Sequence, residues 1–210
     1  MPKPLTPDDL AAISARTIGH YDDHADSFRL GTWDHDVAQN RDALLASIAG
    51  RPPFRILDLG CGPGRDLVAF RDLGHAPTGL DGSARFVAMA RAASGCEVLH
   101  QDFLALALPA AHFHGVFANA SLFHVPSQEL PRVLGELHAT LVPHGILFSS
   151  NPRGDGSEAF TSERYSAFHS FETWRSYVTS AGFTELDHYY RPPGRPRAQQ
   201  PWLATLWRKT

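Results

Sequence analysis

The sequence predicts a three-layer α/β domain on a mostly parallel, seven-stranded sheet, with an antiparallel last strand and an N-terminal helical cap. From residue 54 onward, strand-like apolar runs alternate with helix-like segments, which is typical of a parallel sheet covered on both faces. Near the C-terminus two strands follow one another without a helix between them, which indicates an antiparallel pair. The 210 residues, 43% of them hydrophobic and 20% charged, suit one packed domain with a small cap.

The individual elements follow from periodicity and from turn residues. We predict strands at 54–59, 76–80, 96–99, 114–118, 145–150, 183–190 and 202–209. We predict helices at 64–73, 83–93, 127–141 and 171–180. Before them, Thr6 followed by Pro7 and two acids marks a helix start, and Val37 to Ile48 suggests a second helix. These signals divide the chain into a cap, 1–53, and one globular unit, 54–210.

Composition excludes several classes of function. A net charge of −3 gives no basic surface for nucleic acid or an acidic membrane. The two cysteines, Cys61 and Cys96, cannot build a disulfide framework, and no zinc spacing is present, so we expect no metal site. The N-terminus lacks the apolar core of a signal peptide, and the apolar runs are strand-sized. We therefore expect a cytoplasmic protein, a monomer or homodimer, without a membrane or nucleic-acid partner.

The segment Ile56 to Asp66, ILDLGCGPGRD, carries the strongest functional signal. An apolar strand enters a turn with glycines at 60, 62 and 64, and a helix follows. Glycine lets a ligand approach the backbone, and the first amides of the next helix point into such a turn. A second strand ends at Asp81, where a carboxylate is the usual partner of ribose hydroxyls. The two features together predict a site for a nucleoside-containing cofactor.

A glycine turn between a strand and a helix has three other interpretations. A dinucleotide site expects G-x-G-x-x-G, but the spacing from Gly60 to Gly64 is shorter. A phosphate-binding P-loop needs Gly-Lys-Ser/Thr, whereas Arg65 and Asp66 follow Gly64. The third is a plain tight turn between a strand and a helix.

The segment from Asp58 to Gly64 resembles motif I of the class I S-adenosylmethionine-dependent methyltransferases, of the small-molecule type with a domain 11/25-like sequence. The likeness spans about residues 54 to 207 and includes four further segments. These are 79–81 (GLD), 101–103 (QDF), 117–124 (FANASLFH) and 141–147 (LVPHGIL). The resemblance implies a Rossmann-like fold, S-adenosylmethionine as cofactor and S-adenosylhomocysteine as product. The cofactor-binding residues that it implies are Asp58, Gly60, Cys61, Gly62, Gly64, Asp81, Gly82, Asp102, Phe103 and Asn119.

Several of these roles also have a physical rationale. Asp81 can accept hydrogen bonds from both ribose hydroxyls. Asp102 can accept the adenine amino group, with Phe103 as an apolar face, although a turn or capping role is the alternative for Asp102. Gly60 and Gly62 would let the main chain contact the amino-acid tail. Cys61 is expected to be a small buried side chain rather than a nucleophile.

His124 and Tyr21 are the candidate catalytic residues. Methyl transfer mainly requires alignment of a nucleophile, and a base is needed only if the acceptor is protonated. His124 follows the fourth strand and is the best candidate base, and a structural or cofactor-side histidine is the alternative. Tyr21 resembles the family's cofactor-covering segment, and an interface aromatic is the alternative. His20 and His24 lack the further ligands that a metal would need.

Two loops could form a basic, aromatic lid over an anionic acceptor. Their residues are Arg153, Tyr165, His169, Arg191, Arg195 and Arg197. The alternative is a solvated basic surface.

The sequence therefore predicts methyl transfer from S-adenosylmethionine to a small soluble acceptor, for which an anion is one option. The end of the fourth strand, Asn119 to Leu122, lacks the proline-rich N-P-P-Y motif of nucleic-acid amine methylation. An NAD-dependent oxidoreductase and a non-catalytic adenosyl-ligand binding protein are the alternatives. The sequence does not identify the acceptor.

Overall fold

The computed structural model describes residues 4–210. Its helices are α1 (Pro7–Asp23), α2 (Ala25–Thr32), α3 (Ala38–Ser47), α4 (Arg65–Asp72), α5 (Ala84–Ser94), α6 (Leu130–Thr140) and α7 (Phe171–Ser180). Its strands are β1 (Arg55–Leu59), β2 (Ala76–Asp81), β3 (Val98–His100), β4 (Phe113–Asn119), β5 (Leu141–Pro152), β6 (Glu158–Thr161), β7 (Arg164–Ala167), β8 (Phe183–Arg191) and β9 (Trp202–Lys209). None of the helices in this part of the chain has the length and apolar character needed to cross a membrane.

Seven strands form one sheet in the order β3-β2-β1-β4-β5-β9-β8. The pairs from β3 through β5 are parallel, and β9 runs antiparallel to both β5 and β8. The predicted mostly parallel sheet with an antiparallel last strand is confirmed. This order places the ends of β1, β2 and β4, which carry Asp58, Asp81 and Asn119, along one edge of the sheet.

Successive strand residues enter two different cores, which explains the three layers. Leu57 of β1 packs in a cluster with residues of α6 and α7, while its neighbour Ile56 packs in a cluster with residues of α3 and α4. In β5, Leu147 and Phe148 divide between the same two clusters. A strand whose side chains are apolar on both sides of the pleat is buried on both faces, as parallel sheets require. Helix α5 joins α4 through a third cluster.

The N-terminal helices divide between the sheet and the site. Helix α1 starts with a complete capping box between Thr6 and Asp9, as the sequence predicts. Helix α3 packs on the sheet, where Leu44 contributes to the core shared with Phe117 and Phe148. Residues of α1 and α2 line the cavity described below, and α3, which covers the sheet, adds Asn40 to the same cavity.

Two elements differ from the prediction. Helix α2 lies in the polar stretch 19–36, where apolar periodicity is weak and Ala25 is its buried residue. The segment 151–170, expected as a loop, contains the antiparallel hairpin β6–β7. Strand β6 is exposed along its length whereas β7 is largely buried, so the pair lacks the regular alternation of a half-buried hairpin.

Candidate active site

One cavity of about 640 Å³ lies at the edge where β1, β2 and β4 end. The predicted residues that line it are Tyr21, Asp58, Gly60, Cys61, Gly62, Asp81, Gly82, Asp102, Phe103, Asn119 and His124. Ligands of open α/β sheets bind at this edge because strand ends and helix N-termini meet there. Tyr21 and His124 are separated by 103 positions in the sequence, so the fold, and not a local motif, brings these residues together.

The turn after β1 needs glycine at position 60 for two reasons. Gly60 has a φ of +74°, a left-handed conformation that residues with a Cβ rarely adopt. A Cβ there would lie 2.5 Å from Cβ of Ser121. The turn amides are already used by the fold, because the N–H groups of Gly60 and Cys61 donate to the carbonyl of Leu80. The Gly60 amide is therefore already hydrogen-bonded within the fold.

Gly64 is the predicted cofactor residue that does not line the cavity. It precedes α4 with a φ of +93°, and a Cβ there would lie 2.8 Å from Cα of Ala90. The position requires glycine because α4 and α5 approach closely, and not because a ligand does. The assignment of Gly64 to cofactor binding stays a prediction, and packing against Ala90 is the reason for glycine that the structure shows.

Asp81 is held by backbone amides at both carboxylate oxygens. The Gly62 amide donates to Oδ2 and the Ser83 amide donates to Oδ1, each at a distance of 2.9 Å. Each oxygen keeps a further lone pair for a ligand. Burial raises the pKa of this carboxyl to about 6, opposed by the backbone hydrogen bonds.

A second carboxylate at the cavity wall lacks a partner. Asp58 is 3% exposed, and its Oδ2 has no hydrogen-bond donor among the described residues. Burial, with Asp66 adding negative charge nearby, raises its pKa well above the ordinary value. Asp66 itself is paired with both Arg41 and Arg65, at 2.7 and 2.6 Å. A buried acceptor without a donor indicates that a ligand group belongs beside Asp58.

Asp102 also lines the cavity, with both oxygens engaged. The Leu104 amide donates to Oδ1 at 2.8 Å, and the Ser14 hydroxyl of α1 donates to Oδ2 at 2.5 Å. Asp102 thus caps the short 3₁₀ turn that carries Phe103. The binding role and the turn role that the sequence left as alternatives are compatible, since each carboxylate oxygen accepts more than one hydrogen bond.

Asn119 at the end of β4 is fixed by the N-terminal region. Its Oδ1 accepts the amide of Asn40 from α3 at 2.8 Å, and Tyr189 of β8 donates to Oδ1 of Asn40 at 2.9 Å. Asn40 is 1% exposed. This chain of hydrogen bonds orients the Asn119 amide group at the cavity wall.

His124 and Tyr21 form a hydrogen-bonded pair with a defined proton position. Nδ1 of His124 lies 2.6 Å from the carbonyl oxygen of Tyr165, which can only accept, so Nδ1 carries the proton. Nε2 is then the acceptor for the Tyr21 hydroxyl at 2.8 Å. Burial lowers the pKa of His124 to about 4 and raises that of Tyr21, so both groups are neutral at neutral pH. Tyr21 therefore occupies the nitrogen through which His124 would act as a base on an acceptor, and the catalytic role of His124 stays a prediction.

Arg164 is a site residue that the sequence did not predict. It lines the cavity and donates from Nη1 to the Tyr21 oxygen at 3.3 Å, and its Nε has no acceptor among the described residues. The six residues predicted as a basic lid were Arg153, Tyr165, His169, Arg191, Arg195 and Arg197; Arg191 is the one that lines the cavity. Arg164 lies on the unpredicted hairpin, so no strand end in the sequence pointed to it.

Ser14 and Asn40 were missed for a related reason. Both line the cavity from helices, where one serine or asparagine among polar residues gives no motif. Their roles become visible only from hydrogen bonds to residues distant in the sequence, which are Asp102 for Ser14 and Asn119 for Asn40.

Known proteins resemble the chain in sequence and in fold. A family model for a methyltransferase domain matches residues 56–145. A malonyl-[acyl-carrier protein] O-methyltransferase of Enterobacter lignolyticus is 32% identical over 145 residues, which are 69% of this chain and 53% of that protein. A trans-aconitate 2-methyltransferase of Paracidovorax citrulli is 35% identical over 113 residues, 52% of this chain and 43% of that protein. The chain thus spans about half the length of the curated relatives it matches.

A solved structure covers the whole fold. It is 1,6-didemethyltoxoflavin-N1-methyltransferase of Burkholderia thailandensis, with bound 1,6-didemethyltoxoflavin and S-adenosylhomocysteine. The match has a TM-score of 0.80 and 25% identity, and it covers 100% of this chain and 93% of that one. With the glycine turn and the acids at the ends of β1 and β2, these matches show that the chain belongs to the class I S-adenosylmethionine-dependent methyltransferases.

Proposed function

We propose that this protein transfers the methyl group of S-adenosylmethionine to a small anionic acceptor. The observation that carries the proposal is that one cavity joins the glycine turn and the acids Asp58, Asp81 and Asp102 to the Tyr21–His124 pair and Arg164. The acids suit a cofactor rich in donors, and the arginine suits an anion.

The donors of the cofactor match the acceptors of the cavity. Asp58 has a buried oxygen without a donor, which an α-ammonium group would supply. Asp81 would accept the ribose hydroxyls through its spare lone pairs, and Asp102 would accept the adenine amino group beside the ring of Phe103. Bound there, the cofactor supplies an electrophilic methyl group on a sulfonium.

The remaining cofactor residues would shape the surface around it. Gly82 packs closely on α1, since a Cβ there would lie 2.8 Å from Cδ1 of Ile18 and would require that side chain to shift. Cys61 is a buried thiol whose pKa is raised by burial, so it serves as an apolar surface. Asn119 would face the methionine portion. Helices α1 and α2 would act as the cap that excludes water from the site.

Charge supports an anionic acceptor. Arg164 and Arg191 both line the cavity, and Arg164 forms no ion pair with an acid among residues 4–210 in the geometry described above. The curated relatives named above act on malonyl and trans-aconitate groups, both of which are carboxylic acids. An arginine without a carboxylate partner at a cavity wall is a ready site for an anion.

Calorimetric titration with S-adenosylmethionine, S-adenosylhomocysteine and NAD tests the cofactor. We expect both adenosyl ligands to bind at micromolar concentration and NAD not to bind. Binding of NAD alone would refute the methyltransferase proposal and favour an oxidoreductase.

Formation of S-adenosylhomocysteine tests the acceptor. Small anions should support turnover, and their neutral amides of the same shape should not. Cofactor binding without turnover on any acceptor would favour a non-catalytic binding protein.

A further inference from the structure

We infer that the acceptor atom is a carboxylate oxygen, ionised before it binds, and that the Tyr21–His124 pair positions the acceptor without taking a proton from it. The inference rests on the proposed function and specifies the class of substrate. It follows from the hydrogen bonds of the pair, from the charges around it and from the free donors of Arg164.

Neither ring nitrogen of His124 is free to act on an acceptor. Nδ1 donates to the Tyr165 carbonyl at 2.6 Å, and Nε2 accepts from the Tyr21 hydroxyl at 2.8 Å. A general base must come within hydrogen-bond reach of the proton that it removes. Here any proton would have to pass through the Tyr21 oxygen.

The surroundings also oppose a protonated His124. The groups that act on it are the cationic Arg164 from β7 and the titratable His20 from α1, and positive charge on either disfavours a protonated His124. Its remaining polar neighbours are the Tyr21 hydroxyl and a carbonyl. In a Ser–His–Asp triad, by contrast, a carboxylate stabilises the imidazolium. The lowered pKa of His124, about 4, agrees with this arrangement.

Tyr21 is no better as a base. Burial raises the pKa of its hydroxyl more than the neighbouring Arg164 lowers it, and the Tyr21 proton is donated to His124. Asp81, the acid that acts on Tyr21, raises that pKa further. Neither member of the pair is therefore placed to activate an alcohol, a phenol or an ammonium at neutral pH.

Arg164 provides what a carboxylate needs. Its Nη1 makes one long hydrogen bond of 3.3 Å, to the Tyr21 oxygen, and its Nε has no acceptor within residues 4–210. The planar guanidinium matches a carboxylate through two parallel hydrogen bonds. Tyr21 orients Arg164 through that contact and through the stacking of the guanidinium 5.7 Å from its ring centre.

The reaction that follows requires no proton transfer. The carboxylate oxygen forms a bond to the methyl carbon while the carbon–sulfur bond of the sulfonium breaks. The electron pair of that bond remains on sulfur, which becomes a thioether. The products are a neutral methyl ester and S-adenosylhomocysteine, so charge is conserved.

The chemistry of the product tests this inference. The full chain is incubated with methyl-labelled S-adenosylmethionine and with one of four acids, trans-aconitate, malonate, succinate or benzoate. Parallel reactions contain a phenol, an amine or a thiol of similar size to benzoate as the alternative acceptor. We expect label that mild base releases as volatile methanol, which is diagnostic of an ester. Base-stable label alone overturns the inference but keeps the methyltransferase proposal. Absence of ester from all four acids also overturns it, and failure to bind the cofactor refutes the proposed function itself.

The pH profile tests the positioning role of the pair. At saturating cofactor, kcat with the best acid should be flat between pH 7 and 9 in the wild type and in His124→Asn. His144→Asn, at an exposed position of β5, is the control for the same chemical change. A kcat that rises with pH in the wild type and becomes flat in His124→Asn would show that His124 is a base.

Substitution of Arg164 separates charge from fold. Arg164→Gln should raise KM for the acid about tenfold or more while the Kd of S-adenosylhomocysteine stays the same. Arg208→Gln, on the exposed side of β9, should change neither. An unchanged KM in Arg164→Gln would contradict the role of this arginine.

Discussion

Replacement of Asp81 by asparagine should weaken cofactor binding by a predictable amount. The amide keeps one oxygen for the Ser83 N–H but places an NH2 group opposite the Gly62 N–H. It also removes the charge that would strengthen the hydrogen bonds to the ribose hydroxyls. A hydrogen bond to a charged group contributes about 1.5–3 kcal/mol, so loss of one should raise Kd about 10- to 150-fold.

The pH dependence of binding identifies the same carboxylate independently. The pKa of Asp81 is raised to about 6, so the ionised fraction falls from about 99% at pH 8 to about 9% at pH 5. Because the ionised form is the better acceptor, the Kd of S-adenosylhomocysteine should rise about tenfold over that range. In Asp81→Asn this dependence should be lost.

Titration calorimetry at pH 8 and pH 5 measures both effects. Asp155→Asn is a matched control, because Asp155 is exposed and accepts one backbone amide outside the cavity. The control should bind like the wild type. Near-wild-type affinity in Asp81→Asn, or an unchanged pH dependence, would refute the assignment of the ribose hydroxyls to this residue.

Two predictions concern stability. Gly60→Ala should have a Tm well below that of Gly74→Ala. Both positions have a positive φ, but of the two only a Cβ at Gly60 would meet a neighbour, Ser121, within 4 Å. Equal decreases in Tm would show that the contact with Ser121 has no energetic cost. Thr205→Val should destabilise the fold by about 2–5 kcal/mol in denaturant unfolding, because the buried Thr205 hydroxyl oxygen accepts two indole N–H groups. Thr184→Val, on the exposed edge strand β8, should have little effect, and a similar loss there would argue against the hydrogen bonds as the cause.

The sequence predicts the cofactor side of the cavity because its determinants are local. The glycine turn follows β1, Asp81 ends β2 and Asp102 lies two residues after β3, so the strand and the residue can be recognised together. The mostly parallel sheet is then predicted from the alternation of strands and helices. Gly64 shows the limit of this approach, since a packing glycine and a binding glycine look the same in a motif.

The acceptor side could not be predicted because its determinants are distant in the chain. Arg164 and Tyr21 meet across 143 residues, and the hairpin that carries Arg164 has one strand exposed throughout. The tautomer of His124 depends on a carbonyl 41 residues away. A histidine after a strand indicates a candidate base, but its hydrogen-bond partners decide whether it can act as one.

Helix α1 couples the two sides, which explains why the cavity needs an N-terminal cover made of polar as well as apolar residues. From one helix, Ser14 donates to Asp102, Thr17 accepts from the amide of Tyr165, and Asp22 accepts from the Ser83 hydroxyl. The first and last of these contacts reach the loops after β3 and β2, and the second reaches the hairpin. Tyr21, on the same helix, is therefore positioned by contacts to the cofactor side and to Arg164 at once. A ligand that orders Asp102 and Ser83 would also fix the residue that faces the acceptor, so cofactor binding should precede productive acceptor binding.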